Sequence, residues 1–509
     1  MKTAELLEKL HRADQEYHHL GKTLALLQWD EETCLPSGGV EERAEQLALL
    51  QGIAHEHFVS PGIGHCLTEL GSTPENPRGD EGLPALERDF LRVMRRAYDR
   101  EVKLPVKFVS DAARAEGLSQ AAWARARKNN DFAAFLPHLR AMIDIARQKA
   151  RYWGYSDAGD GKGSLYDGLL DTYEPGLTAR ETGALFGPLG ERLNALIKKL
   201  PPPQACPFLD QDYDTGVQVR FNHALMDYLG FDTGRGRLDV SAHPFTTSLG
   251  ADDVRITTRY FPRNLLSSVF SVIHESGHAF YEMSFPPELR FSCLADGASM
   301  AVHESQSRFW ENVVGRSRPF WDGLYPLLAS HFPGQLGSVD IDTFYRRVNQ
   351  VRPSLIRVDA DEVSYSLHII LRFELEKQLI SGELLPEDLP GRWREYSRRF
   401  LNLESETDAD GVLQDVHWSM GSFGYFPSYA LGNLYGLQFR AQMQKDLPEF
   451  DSALAAGNFK PIHEWLRDRI YRWGCRLEPS ELLLKVTGER LSAEPFLNYI
   501  EAKYTELYG

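Results

Sequence analysis

The chain lacks any long apolar run. No stretch of its 509 residues approaches the roughly 20 apolar residues of a membrane-spanning helix, and residues 1–20 are charged and amphipathic, without an apolar signal core. Basic runs and basic-aromatic stripes are also missing, and the net charge is −16. An acidic chain of this kind is a poor partner for nucleic acid. We therefore expect a cytoplasmic protein with neither nucleic-acid nor membrane partners.

Cysteine is scarce. The five residues are widely spaced and odd in number, and no C-x-x-C pair occurs among them: Cys34, Cys66, Cys206, Cys293 and Cys475. This pattern argues against a disulfide framework and against a structural zinc site built from thiolates. We expect reduced thiols, most of them buried and structural.

Helical periodicity runs through almost the whole chain, and 42% of the residues are hydrophobic. We expect one large, mostly α-helical catalytic body over residues 1–509, with the N-terminal helices (about residues 1–85) as a candidate lid over a groove. Residues 60–85 are rich in glycine, proline and charge, which favours a loop. Residues 241–260 alternate and contain many β-branched side chains, so a short β-hairpin is expected there.

The most informative motif is H-E-x-x-H at residues 274–278. His274 and His278 are four residues apart, so on a helix they share one face and can bind one metal ion. Glu275 lies beside them, where it can accept a proton from the attacking water. The apolar side chains just before the motif recur at helical spacing, which indicates a partly buried helix. The alternative, a solvated helix face that happens to carry two histidines, fits this context less well.

Glu304 is the candidate for a third metal ligand. It lies 26 residues after His278 on a second predicted helix, residues 299–314, and proline and glycine between the two helices permit a return. Glu282 and Glu288 are nearer alternatives, but Glu282 is only one turn beyond His278 and would need an awkward reach. Two histidines, one glutamate and an open position are typical of a catalytic zinc site.

Two arginines are candidates for binding a substrate carboxylate. Arg352 and Arg357 stand at the entrance of a long helix that we expect to begin after Pro353 with residues 356–369, and a guanidinium can hold a carboxylate in a forked contact. The alternative is that they pair with acidic residues of the same segment, Asp359, Asp361 and Glu362.

Two further segments could face a substrate. Residues 417–429 contain glycines that allow a close approach to the site, so His417 and Tyr425 could donate hydrogen bonds to an oxyanion. In the predicted hairpin, an exposed edge strand could pair with an extended peptide, and His243 could contact substrate. A purely structural role for His243, which precedes a proline, is the alternative.

The motifs together resemble one family. The matching runs follow in order along nearly the whole chain: QWDEET at 28–33, HPF at 243–245, DVRIT at 253–257, HESGH at 274–278, HESQS at 303–307, IRVDADEVSYSLHI at 356–369 and HWSMGSFGYFPSYALGN at 417–433. This combination is similar to the carboxypeptidase Taq family of zinc metallocarboxypeptidases.

The resemblance implies a helical fold like those of neurolysin and angiotensin-converting enzyme, with a deep groove. It implies a homodimer that removes single C-terminal residues with broad preference, proline being disfavoured. His274, His278 and Glu304 match the family's metal ligands for Zn²⁺, for which Co²⁺ can substitute, and Glu275 matches its general base. Residues 289–297 depart from the family's commoner G-T-P-x-G-like run, which puts side-chain or length preference in question.

Two rival functions share these residues. An oligopeptidase on the same scaffold would use the same metal site, but no cation would close the groove one residue past the metal. A non-catalytic helical binder with a structural zinc would need a fourth protein ligand and would leave Glu275 without a role.

Overall fold

The computed structural model describes residues 3–508, which form 21 α-helices and three β-strands. The helices are α1 (Thr3–Thr33), α2 (Val40–Phe58), α3 (Pro61–Glu69), α4 (Ala85–Glu101), α5 (Val106–Asn129), α6 (Phe132–Tyr152), α7 (Leu165–Tyr173), α8 (Ala179–Ile197), α9 (Thr215–Leu229), α10 (Leu265–Met283), α11 (Met300–Arg308), α12 (Arg318–His331), α13 (Pro333–Leu336), α14 (Ile341–Val348), α15 (Tyr365–Ser381), α16 (Leu389–Leu401), α17 (Pro427–Asp446), α18 (Phe450–Ala455), α19 (Lys460–Arg469), α20 (Pro479–Thr487) and α21 (Glu494–Tyr508). Among the described residues, no helix is long and apolar enough to cross a membrane.

A small sheet lies directly before α10. Its strands are β1 (Gly236–Val240), β2 (Thr246–Gly250) and β3 (Asp253–Thr258), in the order β1-β3-β2. β2 and β3 form the antiparallel hairpin expected from the sequence, and β1 adds a parallel strand that was not expected. Val254 and Ile256 of β3 are fully buried, and β3 packs on α10. The prediction of a mostly α-helical body with a small sheet beside the H-E-x-x-H motif is confirmed.

The main core surrounds α10, which packs against α9, α11 and the sheet. Two glycines allow the helices around the motif to approach closely. A methyl group added at Gly277 of α10 would lie 2.7 Å from the carbonyl oxygen of Gln306 and from Cα of Ser307 on α11. A methyl group added at Gly432 of α17 would lie 2.7 Å from Cγ of Glu304. α11 is therefore held between α10 and α17 at nearly backbone contact.

The N-terminal helices build a second, smaller core. Its members come from α1 to α4 and from the segment after α10: Leu6, Leu10, Phe58, Ile63, Cys66, Leu67, Leu70, Phe90, Leu91, Met94, Leu289 and Leu294. α1 also contacts the sheet, since the Lys22 ammonium donates to the Ser248 carbonyl oxygen at 3.0 Å and the Arg255 guanidinium lies 4.4 Å from the Trp29 ring centroid. α1 therefore packs against β2.

Two local predictions are wrong. The predicted loop at 60–85 contains α3, which begins with proline at its first position, where a missing N–H costs nothing. The helix expected within residues 356–369 begins only at Tyr365. Before it, the Asp361 carboxylate accepts hydrogen bonds from the backbone N–H groups of Arg352, Val363 and Ser364. These local bonds compete with helical ones and hold the segment in a turn.

Candidate active site

α10 and α11 bring the three candidate metal ligands together. One donor atom each from His274, His278 and Glu304 lies within 4.8 Å of the other two. Glu304 Oε2 is 3.8 Å from His274 Nε2 and 3.5 Å from His278 Nε2. Both imidazoles therefore point Nε2 toward the same carboxylate oxygen, as expected for three groups that share one ion.

His274 is oriented by a residue just beyond α11. Its Nδ1 donates to Glu311 Oε2 at 2.8 Å. Glu311 lies in a turn of π-helix, Phe309–Val314, that continues α11. A carboxylate on Nδ1 fixes the tautomer that leaves Nε2 as a ligand and increases its basicity.

His278 is oriented by a chain of two residues. Its Nδ1 lies 2.6 Å from His303 Nδ1, and His303 Nε2 lies 2.8 Å from Glu282 Oε1. With Nε2 of His278 left for a metal, Nδ1 donates to His303, which in turn donates to Glu282. Burial lowers the pKa of His278 to about 4, so this imidazole is neutral at pH 7, as a ligand must be.

Glu304 is held by Arg308, one helical turn later. Arg308 Nε donates to Glu304 Oε1 at 2.7 Å, which leaves Oε2 directed at the histidines. Burial raises the pKa of the Glu304 carboxyl, but Arg308 and His274 outweigh it and hold this pKa well below its ordinary range. Arg308 also lies 4.0 Å from the Tyr365 ring centroid, so its position is fixed from two sides.

Glu275 is buried and turned toward the sheet. Its Oε2 accepts a hydrogen bond of 2.6 Å from Thr246 Oγ1 on the edge strand β2. Burial raises the pKa of the Glu275 carboxyl above its ordinary value of 4.5. A carboxylate with a raised pKa is a stronger proton acceptor than an exposed one. The strand that could pair with a peptide therefore also positions this residue.

His417 and Tyr425 belong to an aromatic cluster. The ring centroids of the two are 5.5 Å apart, and His417 Nε2 lies 3.2 Å from the Tyr429 hydroxyl. Burial raises the pKa of Tyr425, and the Glu304 charge contributes to this shift. Burial lowers the pKa of His417 to about 3, so it is neutral at pH 7.

The two candidate arginines, Arg357 and Arg352, differ in burial and in their hydrogen-bond partners. Arg357 is 7% exposed, and its guanidinium holds Asp415 with distances of 3.0 and 2.9 Å and donates to the Tyr365 hydroxyl at 3.1 Å. Arg372 binds the other oxygen of Asp415, so two arginines share one carboxylate and one positive charge is left over. The expected alternative partners near 360 do not hold Arg357. Arg352 is exposed.

His243 is exposed and lies three residues before β2. Its backbone carbonyl accepts from Ser241 Oγ at 2.5 Å, a contact that shapes the turn into β2. The structure thus places His243 at the start of the edge strand but does not bring its side chain to the three clustered ligands.

Four positioning residues were not identified from the sequence: Thr246, His303, Arg308 and Glu311. His303 precedes Glu304 in the matched HESQS run, and Arg308 and Glu311 are four and seven residues beyond Glu304 on one helix side, so their spacing was a usable signal. Thr246 carried no such signal, because its partner is 29 residues away.

The donor set fits a catalytic zinc ion. Two neutral or readily neutralised imidazoles and one carboxylate are present, each with a hydrogen-bonded partner that fixes its orientation, and no thiol belongs to the cluster. A closed structural zinc site would need a fourth protein ligand, often a cysteine. Within residues 3–508, the cluster contains three ligands, and the five free cysteines lie outside it.

Comparison with known proteins shows the family to which the chain belongs. The family model described as carboxypeptidase Taq (M32) metallopeptidase matches residues 9–504. Thermostable carboxypeptidase 1 of Thermus thermophilus is 41% identical over 510 residues, which cover 99% of each protein, and carboxypeptidase 1 of Bacillus subtilis is 36% identical over 96% of each. The crystal structure of the M32 carboxypeptidase of Deinococcus radiodurans superposes with a TM-score of 0.94 at 37% identity, over 99% of this chain and 100% of that one. The chain belongs to the carboxypeptidase Taq family and is a metallocarboxypeptidase.

Proposed function

We propose that this enzyme is a zinc-dependent carboxypeptidase that releases single C-terminal amino acids with broad preference, proline being disfavoured. The observation that carries the proposal is the convergence of His274, His278 and Glu304, with Glu275 buried beside them and held by Thr246. Zinc is proposed because two imidazoles and one carboxylate are its usual catalytic donor set, and Co²⁺ accepts the same ligands.

Glu275 is proposed as the general base. A zinc ion on the three ligands would lower the pKa of a water and polarise the peptide carbonyl. Glu275 Oε2 accepts the proton of the attacking water and then passes it to the departing amine. Thr246 holds this oxygen in place throughout, because its hydroxyl donates to it. The C–N bond breaks, and the C-terminal residue leaves with a free amino group.

Tyr425 and His417 are proposed to stabilise the oxyanion. Both lie in the aromatic cluster and are half-buried, so a hydrogen bond from either would be partly shielded from water. The Tyr425 phenol keeps its proton at pH 7 because burial raises its pKa, and it can therefore donate. His417 reaches the same region through its contact with Tyr429.

Arg357 is the favoured receiver for the substrate's terminal carboxylate. It stacks 4.9 Å from the Tyr429 ring centroid, inside the same aromatic cluster, and the Arg357–Arg372–Asp415 group keeps a surplus positive charge. Arg352 remains the alternative, although it is exposed. His243 and the edge of β2 are proposed to bind the peptide backbone.

We further propose that the enzyme is a homodimer in the cytoplasm and acts on peptides with a free C-terminus. We also propose a single catalytic body over 1–509, in which the N-terminal helices close over the groove. The smaller N-terminal core and its contacts with β2 support the lid, since such a unit can move as one piece.

The test uses an N-blocked tripeptide as the acid and as the C-terminal amide. The acid should lose its last residue, identified by mass, and a chelator should abolish the reaction. The His274→Ala variant should lose metal and activity together. For Arg357→Ala, the loss of kcat/KM on the acid should correspond to about 2–5 kcal/mol of transition-state stabilisation, and the loss on the amide should be small. The Arg352→Ala variant is the matched comparison.

If the wild type cleaves both peptides equally well, the carboxypeptidase geometry proposed for Arg357 and Arg352 is wrong, and internal cleavage as an oligopeptidase takes its place. If metal-free His274→Ala protein keeps full activity, the assignment of the metal ligands fails.

A further inference from the structure

A second cavity, of about 300 Å³, lies away from the metal ligands between α4, the loop before it and the segment that joins α6 to α7. Six basic side chains line it: Arg92, Arg95, Arg96, Arg100, Lys103 and Lys162. Three acidic side chains also reach it, which leaves a net charge of +3 in a protein whose overall charge is −16. No residue of the metal site or of the aromatic cluster belongs to its lining.

The four arginines of the cavity pair with all three of its acidic side chains. Asp171 accepts from Arg96 at 3.0 Å and from Arg100 at 2.5 Å. Arg95 lies 2.5 Å from Asp99, and Arg92 pairs with Glu478. Four guanidiniums thus share three carboxylates, and the arginines are fixed as a rigid wall. Arg100 is further fixed against the Trp153 ring, 4.7 Å from its centroid.

Lys103 and Lys162 provide the rest of the cavity's surplus positive charge. Within residues 3–508, neither Lys103 nor Lys162 has an acidic partner at ion-pair distance. Both line the same cavity, and desolvation, followed by repulsion from Lys162, lowers the pKa of Lys103. They come from segments about 60 residues apart, so the fold itself brings these like charges together.

Two arginines of this wall each have an unpaired donor. Arg92 is 8% exposed, and within residues 3–508 no acceptor lies at hydrogen-bond distance from its Nε or from Nε of Arg95. These two atoms are shielded from solvent and would not themselves contact a ligand. An anion in the cavity would instead offset the repulsion between the cations that line it.

We propose that this cavity binds a small phosphate-bearing anion, either free phosphate or a phosphorylated small molecule. A phosphate offers oxygen acceptors in the geometry that guanidiniums match and a charge that two lysines can share. The volume is at the lower limit of small-molecule sites, which fits such a ligand better than an extended acidic peptide. The site is independent of the peptidase chemistry proposed above.

Calorimetric titration of the metal-loaded enzyme at constant ionic strength tests the proposal, with inorganic phosphate and glucose 6-phosphate as the probes. The wild type should bind at least one of them, and the tighter of the two identifies the source of the phosphate. The K103A/K162A double variant should bind at least tenfold more weakly. Both lysines are exposed, so the double variant should keep its fold.

Lys107→Ala is the matched control, because Lys107 is an exposed lysine on α5 that pairs with Asp111 at 2.5 Å, outside the cavity. It should bind like the wild type, and so should His274→Ala, which excludes binding at the catalytic metal. The proposal is overturned if neither probe binds, if the double variant binds like the wild type, or if His274→Ala abolishes binding. It is also overturned if a tetraglutamate peptide binds and neither phosphate probe does, since the cavity would then be a peptide subsite.

Discussion

The close contact between α10 and α11 makes Gly277→Ala a sharp test of how the metal ligands are positioned. The added methyl group would lie 2.7 Å from two backbone atoms of α11, whereas ordinary contact begins near 3.4 Å. α11 would have to move away by about 0.7 Å. Backbone cannot yield as a flexible side chain can, so we expect the variant to lose about 1–3 kcal/mol of stability.

The same movement carries Glu304, because it lies on α11 one turn before Ser307, a residue that the methyl group would meet. Misplacing a metal ligand by part of an ångström should weaken zinc binding by about 10- to 100-fold, the range found when the support of a ligand is lost. Urea unfolding measures the stability, and competition with a chelator measures the zinc affinity.

Gly117→Ala is the matched control. Gly117 is exposed on α5, and a methyl group there would meet nothing within 4 Å. Since alanine favours a helix over glycine by up to about 1 kcal/mol, this variant should be as stable as the wild type or slightly more so. If Gly277→Ala matches Gly117→Ala in both stability and zinc affinity, close helix packing does not position the ligands, and the reasoning is refuted.

Three further predictions concern single side chains. Glu275→Gln should keep bound zinc, measured by metal analysis, but lose about 10²- to 10⁴-fold in turnover, because an amide cannot accept the proton; near-normal turnover would mean that another residue is the base. Glu311→Ala should weaken zinc binding by about 10- to 100-fold in chelator competition, and Glu311→Gln, which keeps an oxygen for His274, should lose less. Equal affinities in all three proteins would contradict the role of Glu311. Lys503→Met should cost about 3–5 kcal/mol in urea unfolding, because it leaves the buried Glu362 carboxylate, now 2.7 Å from the ammonium, without its cation; a loss below 1 kcal/mol would show that the Tyr504 hydroxyl suffices.

Short-range patterns were the reliable part of the sequence. The four-residue spacing of His274 and His278 fixes a shared helix face by geometry alone, and the alternation before α10 predicted the hairpin. Glu304 could be chosen from its distance along the chain and from the helix around it. These inferences need only one or two neighbouring elements, which a single sequence displays directly.

Long-range pairs could not be predicted in this way. For Arg357 the sequence offered a substrate carboxylate or, as the alternative, an acidic partner within its own segment. It holds Asp415, 58 residues later, because a buried cation needs a partner. The turn at Asp361 replaced a predicted helical start, since side-chain bonds to the backbone compete with helix at that point. The orientation of Glu311 depends on a π-helical turn, and no spacing pattern in the sequence predicts such a turn.

The smaller N-terminal core restricts the sequences that residues 289–297 can carry. Leu289 and Leu294 of this segment pack into that core together with side chains of α1 to α4. A new sequence in this segment must therefore still fit helices that lie between residues 3 and 101. A change in this segment is thus coupled to the seating of the N-terminal helices. Transplanting the segment from a relative without its matching helices should destabilise the N-terminal core.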